Sequence, residues 1–183
     1  AWPAAGPAYD QTEVARFYEG PIDGGPDPPE RWLNAWPLDE SFIDYVDGDA
    51  EAGIINHPEI YPEITKEVLV EQNESGGETT ISTGWHAIEF LLWGQDHSAS
   101  GPGARPFTDY IAGAGGPAAN QERRGAYLNA AAELLIENLE QVRDAWAPNT
   151  PGNYRAELLA ADTNEALRRI LTGLGTLSGG ELT

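Results

Sequence analysis

The chain has no cysteine, no methionine and only one lysine, Lys66. Without cysteine there are no disulfides and no thiolate ligands, so a bound metal must be held by imidazole nitrogen and carboxylate oxygen. No apolar run approaches the roughly 18 residues of a membrane-spanning helix, and the oiliest stretch, FLLW at 90–93, is far too short. Basic residues are scarce as well: ten Lys and Arg stand against 30 Asp and Glu, for a net charge of −20. That deficit argues against nucleic acid or an anionic membrane surface as partner, because phosphate binding needs a cationic footprint. It suits a solvated acidic surface in a salty or extracytoplasmic setting, or a protein that concentrates cations. There is no G-x-S-x-G elbow, P-loop or dinucleotide fingerprint. The glycines of TGLGTLSGGE at 172–181 lack both the lysine and the preceding strand of a phosphate cradle.

At 183 residues the chain is long enough for one ordinary domain with a core, or two small ones. It opens at Ala1 with no charged-then-apolar leader, the expectation for a processed precursor with its signal peptide removed, or for a cut fragment. The apolar series Leu167, Ile170, Leu171, Leu174 and Leu177 runs almost to Thr183, and we expect a further part of the protein beyond it.

Residues 1–37 are rich in Pro, Gly and Trp and read as an irregular lead-in with one helix at 11–18. Residues 38–183 read as the helical core. Short helices are expected at 38–46, with Phe42, Ile43 and Val46 inward, and at 62–73, with Pro62 at its first position. A central helix follows Thr83 as N-cap and stops at Gly94. The clearest helix is 122–147, with Tyr127, Ala131, Leu134, Leu135, Leu139, Val142 and Trp146 on its apolar positions and Pro148 as its stop. Asn153 caps a last helical region whose core candidates are Leu158, Leu159, Leu167, Ile170 and Leu171. Alternating strand patterns are scarce, although 68–70 and 79–83 could pair briefly. The fold class is all-α, a helical bundle with long Pro/Gly-rich connections.

The most informative segment is GWHAIEFLLWGQD at 84–96. Ile88, Leu91, Leu92 and Trp85 cover one half of its helical wheel, and Phe90 and Trp93 much of the other, so it reads as interior. His86 and Glu89 project from it a turn apart on one face. Burying such a pair is costly without a charged partner, a hydrogen bond or a metal. An imidazole and a carboxylate at this spacing reach one ion, as Glu-x-x-His pairs do in carboxylate bundles, and suit iron, zinc or manganese. A His–Glu hydrogen bond that fixes helix packing meets the same spacing equally well.

Asp39 and Glu40 read as helix-start chemistry, or as carboxylates that supplement this site. The run Asp44, Asp47, Asp49 and Glu51 lacks the spacing of a calcium loop and reads as solvated acid. His57 and His97 read as exposed loop histidines. Asp96 directly follows the central helix and can fold back over its end. Arg105, in a Gly/Pro loop, reads as a surface arginine by default, or as a partner that neutralises a buried carboxylate. The six tryptophans read mostly as core or loop anchors.

The segment at 84–96 closely resembles the signature of the imelysin family, also called insulin-cleaving metalloproteinase-like or iron-regulated protein A-like. That signature is Gly-x-His-x-x-Glu, met here by Gly84, His86 and Glu89. The stretches AWPLDESFIDYVDG, GPGARPFTDY and RRGAYLNAAAELLIENLEQVRDAWAP resemble its iron-regulated branch, so the likeness spans nearly the whole chain. The resemblance implies two related helical halves with the signature at their junction, this chain matching the N-terminal half and the C-terminal half being its partner. It also implies a bacterial protein that is periplasmic, secreted or held at the outer surface.

Three functions follow. The first is an extracytoplasmic metal-binding protein of an iron-acquisition system, with His86 and Glu89 as ligands, Asp39, Glu40, Asp96 and Arg105 as supplements, and an iron-uptake transporter as partner. The second is a zinc metallopeptidase in which His86 binds the metal and Glu89 binds it or serves as general base. The third is a peptide or polysaccharide binding module in which the pair only shapes a cleft.

Overall fold

The computed structural model describes residues 2–113, 115 and 118–181, apart from the side chain of Glu181. The protein is all-α: no strand forms among the described residues, where the single β-bridge, Val46 to Asp49, closes a turn. The helices are α1 (Trp2–Asp10), α2 (Glu30–Leu33), α3 (Glu40–Ile43), α4 (Gly53–Asn56) and α5 (Lys66–Gln72). They continue with α6 (Gly84–Trp93), α7 (Gln121–Ala145), α8 (Tyr154–Ala160) and α9 (Thr163–Thr176). Contacts divide the chain into two compact units, one of Ala1–Glu30 with Asn138–Thr183 and one of Arg31–Glu137.

In the 31–137 unit the core is built from Leu33, Ile43, Ile54, Ile55, Leu69, Ile81, Ile88, Leu91 and Tyr127, each essentially inaccessible to water. The helices are short because local chemistry cuts them. Asp39 caps α3 by accepting from Ser41 N at 3.0 Å, and the helix stops where Asp44 turns extended (φ −151°, ψ 175°). The helix expected at 62–73 starts only at Lys66, because the Thr65 hydroxyl accepts from Val68 N at 3.3 Å and sets the cap. Residues 68–70 lie inside α5 with Leu69 buried, which overturns their expected pairing with 79–83. The central and long helices lie close to where periodicity puts them: Thr83 precedes α6, Gly94 (φ +68°) ends it, and α7 ends at Ala145.

In the other unit the helix expected at 11–18 is displaced. The helix is α1, followed by a 3-10 turn at Glu13–Ala15. Phe17 and Glu19 adopt left-handed backbone (φ 67° and 61°), held by the Asp23 carboxylate, which accepts from the backbone N–H groups of Phe17 and Gly20. Asn153 caps α8 as expected, accepting from Ala156 N at 3.0 Å. The expected core of this region is not a core. Leu159, Leu167, Ile170 and Leu171 are exposed and Leu158 is half-buried. The reason lies at Gly173: a Cβ there would sit 2.4 Å from the carbonyl oxygen of Val14. The small-residue side of α9 therefore packs inward, and its apolar stripe faces out.

Candidate functional site

The N-terminus of α6 is fixed by contacts only particular residues allow. Gly84 has φ +84°, and a Cβ on it would lie 2.4 Å from the Leu33 carbonyl oxygen, so the chain crosses α2 with no room for a side chain. The buried Asn73 at the end of α5 holds the approach. Its amide donates to Arg31 O at 3.0 Å, and its carbonyl accepts from Ser82 N at 3.0 Å and the Thr83 hydroxyl at 3.2 Å. Tyr127 donates to Ser82 O at 2.8 Å. Truncating Asn73 to alanine orphans buried donors and an acceptor at once, and should cost about 1–3 kcal/mol. Urea unfolding checks this, and a midpoint equal to that of the parent would remove Asn73 from the support of α6.

The other end of α6 rests on a buried ion cluster. Arg124 of α7 grips Asp44 with both arms, Nε to Oδ2 at 2.6 Å and Nη2 to Oδ1 at 2.9 Å. Arg105 Nη1 reaches Asp44 Oδ2 at 2.7 Å and Asp109 Oδ2 at 3.4 Å. The Arg105 side chain is 2 % exposed and Asp44 is fully buried. This corrects the expectation that Asp44 is solvated acid, and of the two readings of Arg105 it overturns the surface default and bears out the partner that neutralises a buried carboxylate. Two guanidinium groups and two carboxylates balance one another, which makes their burial tolerable. The Arg105 guanidinium lies 4.8 Å from the Tyr45 ring centroid and 5.1 Å from that of Phe90 on α6. Its backbone N–H caps Trp93 O at 2.9 Å. Burial, followed by its hydrogen bond to Asp109, pushes the Tyr45 hydroxyl up to about 12.

On this support α6 presents His86 and Glu89. The imidazole Nδ1 lies 3.2 Å from Glu89 Oε2. The side chains are 29 % and 48 % exposed, so the expected burial of the pair is corrected. The inner faces of α6 are filled by Trp85, Ala87, Ile88, Phe90 and Leu91, whereas Leu92 and Trp93 are only half-buried and share the outer side with the pair. The Trp36 ring centroid lies 4.8 Å from that of His86 at an interplanar angle of 59°, and Trp36 is 68 % exposed.

The supplementary candidates are engaged elsewhere. Asp39 caps α3, Glu40 accepts from Gln95 Nε2 at 2.9 Å, and Asp96 accepts from Ser98 N at 2.9 Å. His57 is half-buried, its Nδ1 3.1 Å from Gly53 O. His97 is exposed and lies 3.2 Å from Asp47. A cleft of about 470 Å³ at the C-terminal end of α6 is lined by Tyr45, Trp93, Asp96, His97 and Arg105 among others, and not by His86 or Glu89. Among the described residues no group of three or more His, Asp or Glu is arranged to hold a metal ion. No helix of the described residues is long and apolar enough to cross a membrane.

Two site neighbours escaped the sequence reading. Arg124 had a signal, since it falls on the stripe of Tyr127, Ala131 and Leu134, all buried. Trp36 had none, because its place beside His86 depends on how the chain folds between 37 and 85.

A family model described as Imelysin matches residues 1–183, the whole chain, and the chain belongs to the imelysin family. No curated protein matches the sequence.

Proposed function

We propose that this imelysin-family chain is an extracytoplasmic metal-binding protein of an iron-acquisition system, holding iron as cargo between His86 and Glu89 for delivery to an uptake transporter. One observation carries the reading: the 3.2 Å between imidazole Nδ1 and carboxylate Oε2. Two ligands about 2.0–2.2 Å from one ion, at a right or tetrahedral angle, lie roughly 2.8–3.6 Å apart. The pair can therefore take up a metal with little rearrangement, releasing any proton it shares. The half-exposed setting suits cargo that must enter and leave, and the acidic surface, at −20 overall, concentrates cations near it.

The zinc-peptidase alternative is less well supported. A catalytic zinc takes three protein ligands and keeps an open position, and the described residues bring no third His, Asp or Glu to the pair. An iron that arrives with ligands of its own needs only two.

Iron titration of the intact protein tests the proposal. Ferric iron buffered by citrate should bind the parent chain, and His86→Ala should weaken that binding at least about tenfold, a loss of ~1.4 kcal/mol or more. Glu89→Gln should weaken it to a similar extent while leaving the helix content unchanged. Equal affinity in the parent and His86→Ala would end the reading.

A further inference from the structure

Resting on the iron reading of His86 and Glu89, we infer that the cargo is a ferric complex of an aromatic chelator, whose ring lies on Trp36 while the protein pair completes the metal's coordination. The first observation is the donor count. His86 and Glu89 offer adjacent positions, and among the described residues no third His, Asp or Glu joins them. An octahedral ion held by two protein donors keeps four positions to be filled. A pair of bidentate phenolate or catecholate ligands fills four, and in its cis arrangement leaves two neighbouring positions open, the number and arrangement that the pair supplies.

The second observation is independent of the metal donors. Trp36 is 68 % exposed, and its ring stands beside the imidazole at 4.8 Å and 59°. A large aromatic face left in water has burial still to gain, and rings stack on it in offset or tilted arrangements. The indole stands tilted beside the imidazole and is not stacked flat on it, which leaves much of its surface in water. A cis bis-chelate on iron held by His86 and Glu89 would carry its rings out from the metal, and the exposed indole beside the imidazole would be the face for one of them to meet. An aliphatic chelator such as citrate fills the same coordination positions and has nothing to set against the indole. The chemistry is ligand exchange only: two waters leave ferric iron, imidazole nitrogen and carboxylate oxygen take their places, and no oxidation state changes.

The experiment compares two probes on the intact protein, ferric iron as its bis-2,3-dihydroxybenzoate complex and ferric iron as citrate. Dissociation constants are measured by equilibrium dialysis for the parent, Trp36→Ala, Trp36→Phe and His86→Ala. The parent should hold the aromatic complex about five- to tenfold more tightly than the citrate complex, the range expected of a single ring contact. Trp36→Ala should abolish that preference while citrate affinity stays within about twofold, and Trp36→Phe should keep part of it. His86→Ala should weaken both complexes. Absence of a preference in the parent, or an equal loss for both probes in Trp36→Ala, overturns the inference and leaves the iron reading standing. Undiminished binding of both probes by His86→Ala sinks the iron reading, and the inference with it.

Discussion

Replacing Arg124 by leucine is expected to destabilise the 31–137 unit by about 3–5 kcal/mol, the cost of leaving a buried charge without its partner. The substitution removes two charge-assisted hydrogen bonds to Asp44, at 2.6 and 2.9 Å, and two to the carbonyls of Asp109 and Ala119, at 2.9 and 3.1 Å. Asp44 is then left in a site inaccessible to water with Arg105 and the Asn56 amide as its partners. Two carboxylates now share one guanidinium, and the cluster carries an uncompensated negative charge in low dielectric. The companion Asp44→Leu leaves the opposite excess. Removing both, as Asp44→Leu with Arg124→Leu, restores the balance around Arg105 and Asp109. It should recover a large part of the loss, because apolar replacements of buried ion pairs are often neutral or better. Urea unfolding combined with hydrogen exchange of α3 and α7 amides measures all three. Single variants within about 1 kcal/mol of the parent, or a double variant as unstable as the sum of the singles, would show that the cluster does not hold the unit together.

Sequence offers only the alternative that Arg105 neutralises a buried carboxylate, and misses Asp44 and Arg124 for a definable reason. Asp44 lies in an acidic run and Arg105 in a Gly/Pro loop, and local composition makes both look solvated. Their partners lie 61 and 80 positions apart in sequence, beyond any periodic pattern. What was legible is what depends on near neighbours. Capping and hydrophobic period placed α6 and α7 within a residue or two, identified Asn153 as a cap, and marked His86 and Glu89 as side chains of one face. The family, too, was readable from Gly84, His86 and Glu89.

Period was misleading where it was asked what covers a face. The α6 wheel is oily on most sides, yet His86, Glu89 and the half-buried Leu92 and Trp93 lie on its outer side. A helical wheel records which residues are apolar, while burial depends on which neighbouring segment arrives. The same error recurs on α9, whose strong stripe of Leu167, Ile170, Leu171 and Leu174 is exposed. There a glycine and a carbonyl oxygen, Gly173 and Val14, set the inward side, and neither contributes to a hydrophobic pattern.

Glycine also decides the second large effect. Gly84→Ala is expected to destabilise the unit by about 2–5 kcal/mol, although it adds a single methyl group. Part of this is conformational: at φ +84° an L-residue with a Cβ is strained by about 1–3 kcal/mol. The remainder is steric. The new Cβ would lie 2.4 Å from Leu33 O, 2.8 Å from the Leu33 carbonyl carbon and 3.1 Å from Trp32 O. All three are backbone atoms, so no side-chain rotation relieves the clash and α2 or α6 must shift, at the cost of an overpacked core. A shift of α6 carries His86 and Glu89 with it and moves the imidazole relative to Trp36, since that ring precedes α3 and is not part of the moving helix. On the proposed iron reading, Gly84→Ala should therefore lose part of the preference for the aromatic ferric complex in the fraction that remains folded, as well as lowering the unfolding midpoint. Gly76 supplies the control, because it is not in the left-handed region and the atoms nearest a Cβ there all belong to the Thr80 side chain, the first at 3.0 Å, with no backbone atom in the way. Gly76→Ala should lose far less stability and, on the same reading, keep that preference unchanged. Equal stability for Gly84→Ala and Gly76→Ala would mean that the first residue of the signature is not held against α2, and that its role must be sought elsewhere.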